Sequence, residues 1–167
     1  MKPIYEPKFI NTSVLDFEEL EIILNNFEPS SIELINNNFK EPFVLEKFNE
    51  NSSVIVSNAR RVKPIFNNLI NVFKEKFPIL KSCKSYDVHI YASPSNKSST
   101  FGTHVDTSHT IILQTQGLCK WVLPNNFEKI IECGDILWLP KGTIHGCIPL
   151  SKRISLSFAF WEKEGII

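Results

Sequence analysis

Two stretches decide how this chain is read: Gly102-Thr103-His104-Val105-Asp106, and Gly134-Asp135-Ile136-Leu137-Trp138-Leu139-Pro140-Lys141-Gly142-Thr143-Ile144-His145. In the first, a histidine and a carboxylate stand two residues apart, and in an extended strand such residues project from one face. His104 and Asp106 can therefore aim at a single point. The second runs from an apolar strand through a Pro/Gly turn to a lone histidine, His145. Two imidazoles and one carboxylate, with positions left for water and substrate, form the facial triad that suits a non-haem Fe(II) oxygenase.

Around these stretches the hydrophobic period is that of strands, expected at 88–91, 109–116, 119–123, 129–133, 135–139, 143–148 and 153–161. In the last of these, Arg153, Ser155, Ser157 and Ala159 alternate with Ile154, Leu156, Phe158 and Phe160. One face can line a pocket while the other packs on helices. The polar segment from Ser93 to Gly102 leads into His104 and reads as a mobile loop, a natural lid.

Upstream, residues 1–15 carry little signal. Asp16 suits an N-cap with Glu19 three residues on, and Phe17, Leu20, Leu24 and Phe27 recur at helical spacing until Pro29. Short strands are expected within 31–48 and 53–57. Pro64 suits a first helical turn, and Phe66, Ile70, Phe73 and Phe77 form a core-facing stripe that Pro78 ends. The expectation is a mainly β fold, a double-stranded β-helix or jelly roll with N-terminal helices packed outside. Residues 1–167 read as one domain, with a helical and short-strand part at 1–85 and the β-helix core at 86–161.

Length suits a single domain with a real core. Eighteen basic and eighteen acidic residues cancel, so no long-range field draws the chain to nucleic acid or an anionic membrane. The N-terminus lacks a signal-peptide core and no apolar run approaches the roughly 18 residues of a membrane span. A cytoplasmic protein is expected. Its cysteines, Cys83, Cys119, Cys133 and Cys147, form no C-x-x-C pair and read as reduced core residues instead of disulfides or zinc ligands.

The closing stretch resembles the second cupin motif, carried by Gly134, Pro140, Gly142 and His145, with Pro149 where Asn is usual. The opening resembles the first cupin motif, with Asp106 for its second histidine, Thr110 for its glutamate, and Gly117 matching. The run from His104 to Trp121 looks like the H-x-D…Q-x-x-G-x-x-x-W segment of JmjC-type cupins, the ribosomal-oxygenase group especially. The resemblance covers residues 86–161. It implies an Fe(II)- and 2-oxoglutarate-dependent dioxygenase in which His104, Asp106 and His145 bind iron and 2-oxoglutarate is the cosubstrate. Dioxygen is then the oxidant, and the substrate is a small molecule or a side chain on a peptide. Neither nucleic acid nor membrane is indicated as a partner, and oligomeric state stays open.

A buried carboxylate of 2-oxoglutarate needs a cation. The position where JmjC-type relatives usually carry it holds Cys119, and its neighbour Lys120 faces the other way if Cys119 faces inward. Arg153, with Ser155, resembles the H…R-x-S pattern of the prolyl-hydroxylase and demethylase branches, where Arg grips the distal carboxylate in a bidentate fork. Thr110, Lys120, Arg153 and Ser155 are thus the candidate cosubstrate residues. The alternative is a metal cupin that does not use 2-oxoglutarate, catalytic or only binding, which Cys119 favours. His109 lies near the fourth-ligand position of the older cupin motif and is a rival ligand, with a histidine outside the ligand set at a strand start the preferred reading, and His89 has no assigned role.

Overall fold

The structure, a computed structural model, describes residues 1–26 and 31–162. Two sheets carry the architecture, and every neighbouring pair of strands is antiparallel. In chain order the strands are β1 (Ile4–Glu6), β2 (Ile32–Asn36), β3 (Phe39–Pro42), β4 (Ser53–Val56), β5 (Ser85–Ser93) and β6 (His104–Val105). They continue with β7 (His109–Gln116), β8 (Cys119–Leu123), β9 (Phe127–Ile131), β10 (Ile136–Leu139), β11 (Ile144–Pro149) and β12 (Arg153–Trp161). The larger sheet runs β1-β10-β7-β12-β5-β4-β2-β3 and the smaller β6-β11-β8-β9. From β5 onward the chain winds back and forth between the sheets, which is the double-stranded β-helix expected from the sequence.

Period-two alternation decides which side chains meet. On β12, Ile154, Leu156, Phe158 and Phe160 enter the main core, whereas Arg153 and Ser155 turn into the space between the sheets. On β7, Ile111 and Leu113 face the same main core, and Ile112 joins Cys119, Trp121, Leu137 and Leu139 between the sheets.

Two helices cover the outer face of the larger sheet. Helix α1 (Phe17–Asn26) opens with a reciprocal cap: Asp16 Oδ1 accepts from the Glu19 amide at 2.9 Å, and Glu19 Oε2 accepts from the Asp16 amide at 3.2 Å. The expected end of this stripe, Phe27 and Pro29, lies outside the described residues. Helix α2 (Pro64–Lys76) buries Phe66, Leu69, Ile70 and Phe73, and Phe73 meets Phe158 edge to face at 5.0 Å. Truncating Phe158 to Ala would cost about 3–5 kcal/mol, because the helix cannot follow the lost volume.

The N-terminal part belongs to the same sheet. It supplies β2, β3 and β4 at one edge and β1, for which residues 1–15 carried no signal, at the other. A buried carboxylate fastens β1: Asp135 accepts from the Tyr5 hydroxyl at 2.9 Å, the Lys8 amide at 2.9 Å and the Glu132 amide at 3.0 Å. Burial and this hydrogen bond push the Tyr5 phenol up to about 12. Next to it Gly134 has φ +90°, and a Cβ there would lie 2.1 Å from the Ile10 carbonyl oxygen. Only glycine allows the N-terminal segment to approach this closely.

The polar segment 93–102 departs from expectation. The hydroxyls of Ser95 and Ser98 both donate to the Glu50 carbonyl, at 2.6 and 3.0 Å. The Ser99 amide donates to Asn51 O at 2.8 Å, and the Thr100 hydroxyl to Cys147 O at 2.9 Å. Its Ser and Thr residues serve as fasteners to neighbouring backbone, and the segment is a pinned wall instead of a free lid.

Candidate metal centre

Strand β6, the loop after it and strand β11 bring His104, Asp106 and His145 together. His145 lies directly opposite His104 in the β11–β6 register, and the ring centroids are 4.4 Å apart. One ligand atom from each of the three residues lies within 4.8 Å of the others. Asp106 spans the pair, with Oδ1 3.5 Å from His104 Nε2 and Oδ2 3.5 Å from His145 Nε2.

Both rings are held in the tautomer a metal requires. His104 Nδ1 is 3.1 Å from the Gly102 carbonyl oxygen, and His145 Nδ1 is 2.9 Å from that of Thr143. A carbonyl oxygen can only accept, so Nδ1 carries the proton and Nε2 presents its lone pair to the centre. Gly102 reaches this position with φ +69°, in the left-handed region. Burial lowers the pKa of the His145 imidazole below its ordinary value, which favours the neutral, ligating form. His145 is buried, whereas His104 and Asp106 remain 37% and 35% exposed at the side chain, so the triad is reached by solvent from their side. The donor set of two imidazoles and one carboxylate fits a divalent transition metal with free positions.

The triad shares this pocket with Tyr91, Trp121, Cys147, Ser157 and Arg153. Arg153 is 1% exposed. Its Nε donates to Ser93 Oγ at 3.1 Å, Nη1 to Ser155 Oγ at 2.7 Å and Nη2 to Cys147 Sγ at 3.6 Å. The Ser155 hydroxyl donates in turn to Gln114 Oε1 at 2.6 Å. Among the described residues no carboxylate is paired with this guanidinium, and a buried cation without a counter-charge is costly. An anionic group entering the pocket would remove that cost. The neighbouring Cys119 thiol, with the Arg153 charge, lowers the Cys147 thiol against the effect of burial, and Cys147 together with burial raises Cys119.

Of the four candidate cosubstrate residues, Arg153 and Ser155 line the pocket. Lys120 does not, and this corrects its place among them. It lies on the outer side of β8, where its Nζ pairs with Glu128 Oε1 at 3.1 Å, because Cys119 and Trp121 take the inward positions. Thr110 acts one step removed: its hydroxyl donates to Asp106 Oδ2 at 3.3 Å, orienting a ligand carboxylate. His109 points away from the centre, stacks on Trp138 at 5.4 Å and accepts at Nδ1 from the Lys141 amide. His89 Nε2 is 3.0 Å from Asp87 Oδ2, on the same strand as the pocket residue Tyr91.

Tyr91, Phe101 and Cys147 were not read as pocket residues from the sequence, and Trp121 entered only as the last residue of the motif resemblance. Strand parity was a usable signal for two of them, since Trp121 shares a face with Cys119 and Cys147 with His145. Ile35, which reaches the pocket from β2, had none.

No family model matches the chain. Over 139 residues it is 24% identical to the bifunctional lysine-specific demethylase and histidyl-hydroxylase NO66 of Drosophila mojavensis and to that of Drosophila willistoni. The match takes 69% of this chain and only 15% and 17% of theirs. Among solved structures, YcfD, a ribosomal oxygenase from Escherichia coli, superposes with a TM-score of 0.75 at 19% identity, covering 95% of this chain and 47% of that one. Its complex with cobalt and 2-oxoglutarate gives 0.73 at 19% identity, over 95% and 48%. The chain thus spans under half the length of that protein and shares its double-stranded β-helix fold.

Proposed function

We propose that this chain is an Fe(II)- and 2-oxoglutarate-dependent oxygenase that oxidises a C–H bond, with a protein side chain as the favoured class of substrate. The observation that carries the reading is the pairing of a preset two-histidine, one-carboxylate triad with a buried guanidinium in the same pocket. His104, Asp106 and His145 would hold the metal through Nε2, a carboxylate oxygen and Nε2. Arg153, with Ser155, would hold the distal carboxylate of the cosubstrate. The chemistry that iron and 2-oxoglutarate supply when bound is oxidative decarboxylation to succinate and carbon dioxide coupled to dioxygen reduction, with one oxygen atom passing to the substrate.

The residues of the chain orient and shield. Thr110 steadies Asp106, the Gly102 and Thr143 carbonyls fix the imidazoles, and Ile112, Trp121 and Phe101 keep the inner pocket apolar. The alternative of a metal cupin without 2-oxoglutarate rested on Cys119 at the usual cation position. A buried, unpaired arginine facing the same pocket from β12 supports the first reading, since it offers the missing charge from another strand. The relatives' names, a lysine demethylase and histidyl-hydroxylase and a ribosomal oxygenase, support a protein side chain over a free metabolite. A reducing cytoplasm, which keeps iron ferrous, fits four cysteines that form no disulfide.

The test is turnover of 2-oxoglutarate by the Fe(II)-loaded protein, followed as succinate released and dioxygen consumed, first without substrate and then with lysine-, histidine- and arginine-containing peptides. Succinate formation that is absent from His104→Ala is expected. Metal-loaded protein that neither binds nor turns over 2-oxoglutarate would overturn the proposal.

A further inference from the structure

Among the described residues, one buried polar side-chain atom of the pocket lining has no hydrogen-bond partner. Trp121 is 5% exposed, lines the pocket beside the triad, and its indole Nε1 is buried without an acceptor. A buried donor left unsatisfied is destabilising, and the large majority of such groups in folded proteins are paired. The ring is held on both sides of the relevant region: its centroid is 5.8 Å from that of the ligand His145, and the residue lies opposite Cys147 in the β8–β11 register. Cys147 in turn touches Arg153, so Trp121 neighbours both a metal ligand and a residue in contact with the cation.

Resting on the oxygenase reading above, we infer that the Trp121 indole N–H is a cosubstrate-binding group, donating to a carboxylate oxygen at the 2-oxo acid end of 2-oxoglutarate. Two ends of one ligand are then read separately, the distal carboxylate by Arg153 and the metal-chelating end by Trp121. The division follows from contacts: Trp121 packs on a metal ligand, whereas the Arg153 fork contacts Ser93, Ser155 and Cys147 and no member of the triad. Being neutral and fixed by strand packing, the indole donor adds orientation without a second buried charge.

The test uses Zn(II)-loaded full chain, nitrogen-15 labelled, titrated with 2-oxoglutarate and with 2-oxopentanoate, which has a methyl group where 2-oxoglutarate has its distal carboxylate. The sequence holds three tryptophans, and the indole resonance missing from Trp121→Phe assigns the one of interest. Both ligands should move that resonance downfield in the parent protein. At saturating zinc, Trp121→Phe, which keeps an aromatic ring against His145, should weaken both ligands by a similar factor, roughly ten- to a hundredfold for a lost hydrogen bond to a charged group. Arg153→Met should weaken 2-oxoglutarate alone. A parent resonance that does not move while ligand binds, or Trp121→Phe binding both ligands like the parent, overturns the inference. A loss confined to 2-oxoglutarate would place the indole at the distal end and overturn the assignment made here. Binding of neither ligand to the parent would instead bring down the oxygenase reading itself.

Discussion

Replacing Arg153 by Met separates the cost of an unpaired buried cation from its use. In the protein without ligand the guanidinium is satisfied by two hydroxyls and a sulfur, and its removal orphans neither hydroxyl. Ser155 keeps Gln114 and Ser93 keeps Ser53 at 2.7 Å. Exchanging buried ionic groups for apolar ones of similar volume is often neutral or stabilising by about 1–4 kcal/mol, so the melting temperature of the metal-loaded, ligand-free variant should hold or rise. With 2-oxoglutarate at a hundred times its dissociation constant, the parent gains about 2.7 kcal/mol from mass action. For a chain of this size that is a rise of roughly 5–11 °C. Loss of one partner of a buried ion pair, about 3–5 kcal/mol, raises the dissociation constant more than a hundredfold. At the same ligand concentration the variant then gains at most about 0.4 kcal/mol, or roughly 1–2 °C. Differential scanning fluorimetry with manganese in place of iron reads both arms, and Arg153→Lys should recover only part because an ammonium keeps the charge and loses the fork. A full ligand-induced rise in Arg153→Met would refute the argument, as would a collapse of its ligand-free melting temperature.

Further expectations concern the metal, the surface and the wall of the pocket. Anaerobic loading should give one Fe(II) per chain, falling sharply in His104→Ala and His145→Ala; unchanged iron content in both would remove the triad. Lys120→Ala should leave 2-oxoglutarate binding intact and alter stability by no more than about 1 kcal/mol, since its pair with Glu128 is solvent-screened. Titration calorimetry showing lost binding would restore Lys120 to the site. Amide exchange across 95–102 should already be slow at Ser99 in the metal-free protein, because that amide is bonded to Asn51; fast exchange there would return the segment to a lid. Burial lowers the pKa of both His109 and His145. In the unfolded chain these residues take up protons near pH 6.5, while in the fold they stay neutral to lower pH. The unfolded state therefore binds more protons, and stability of the metal-free protein should fall as pH drops below about 6.5. A melting temperature that does not fall between pH 7 and 5 would contradict this.

The amino-acid order by itself determined the fold class and the metal ligands, because both rest on local rules. Strand alternation puts His104 and Asp106 on one side, the Pro140–Gly142 turn delivers His145, and the apolar period marked β7, β8 and β12 at the bounds they have. The cap at Asp16 and Glu19 was legible for the same reason, since both partners lie within one turn. What only the tertiary structure decided involves residues far apart in the chain. Lys120 and Arg153 could each have been the cation until the pairing of β8 with β11 and of β12 with β5 sent one outward and buried the other. Strand β1 has no period of its own and exists because Asp135, 130 positions from Tyr5, supplies the acceptor that holds it. The segment 93–102 looked mobile by composition, yet the carbonyls that its serines and Thr100 bond belong to residues 50, 51 and 147. Hydrogen-bond acceptors contributed from distant parts of the chain leave no mark on the segment that uses them, which is why composition misread that loop and parity alone could not find the unpartnered Trp121 indole.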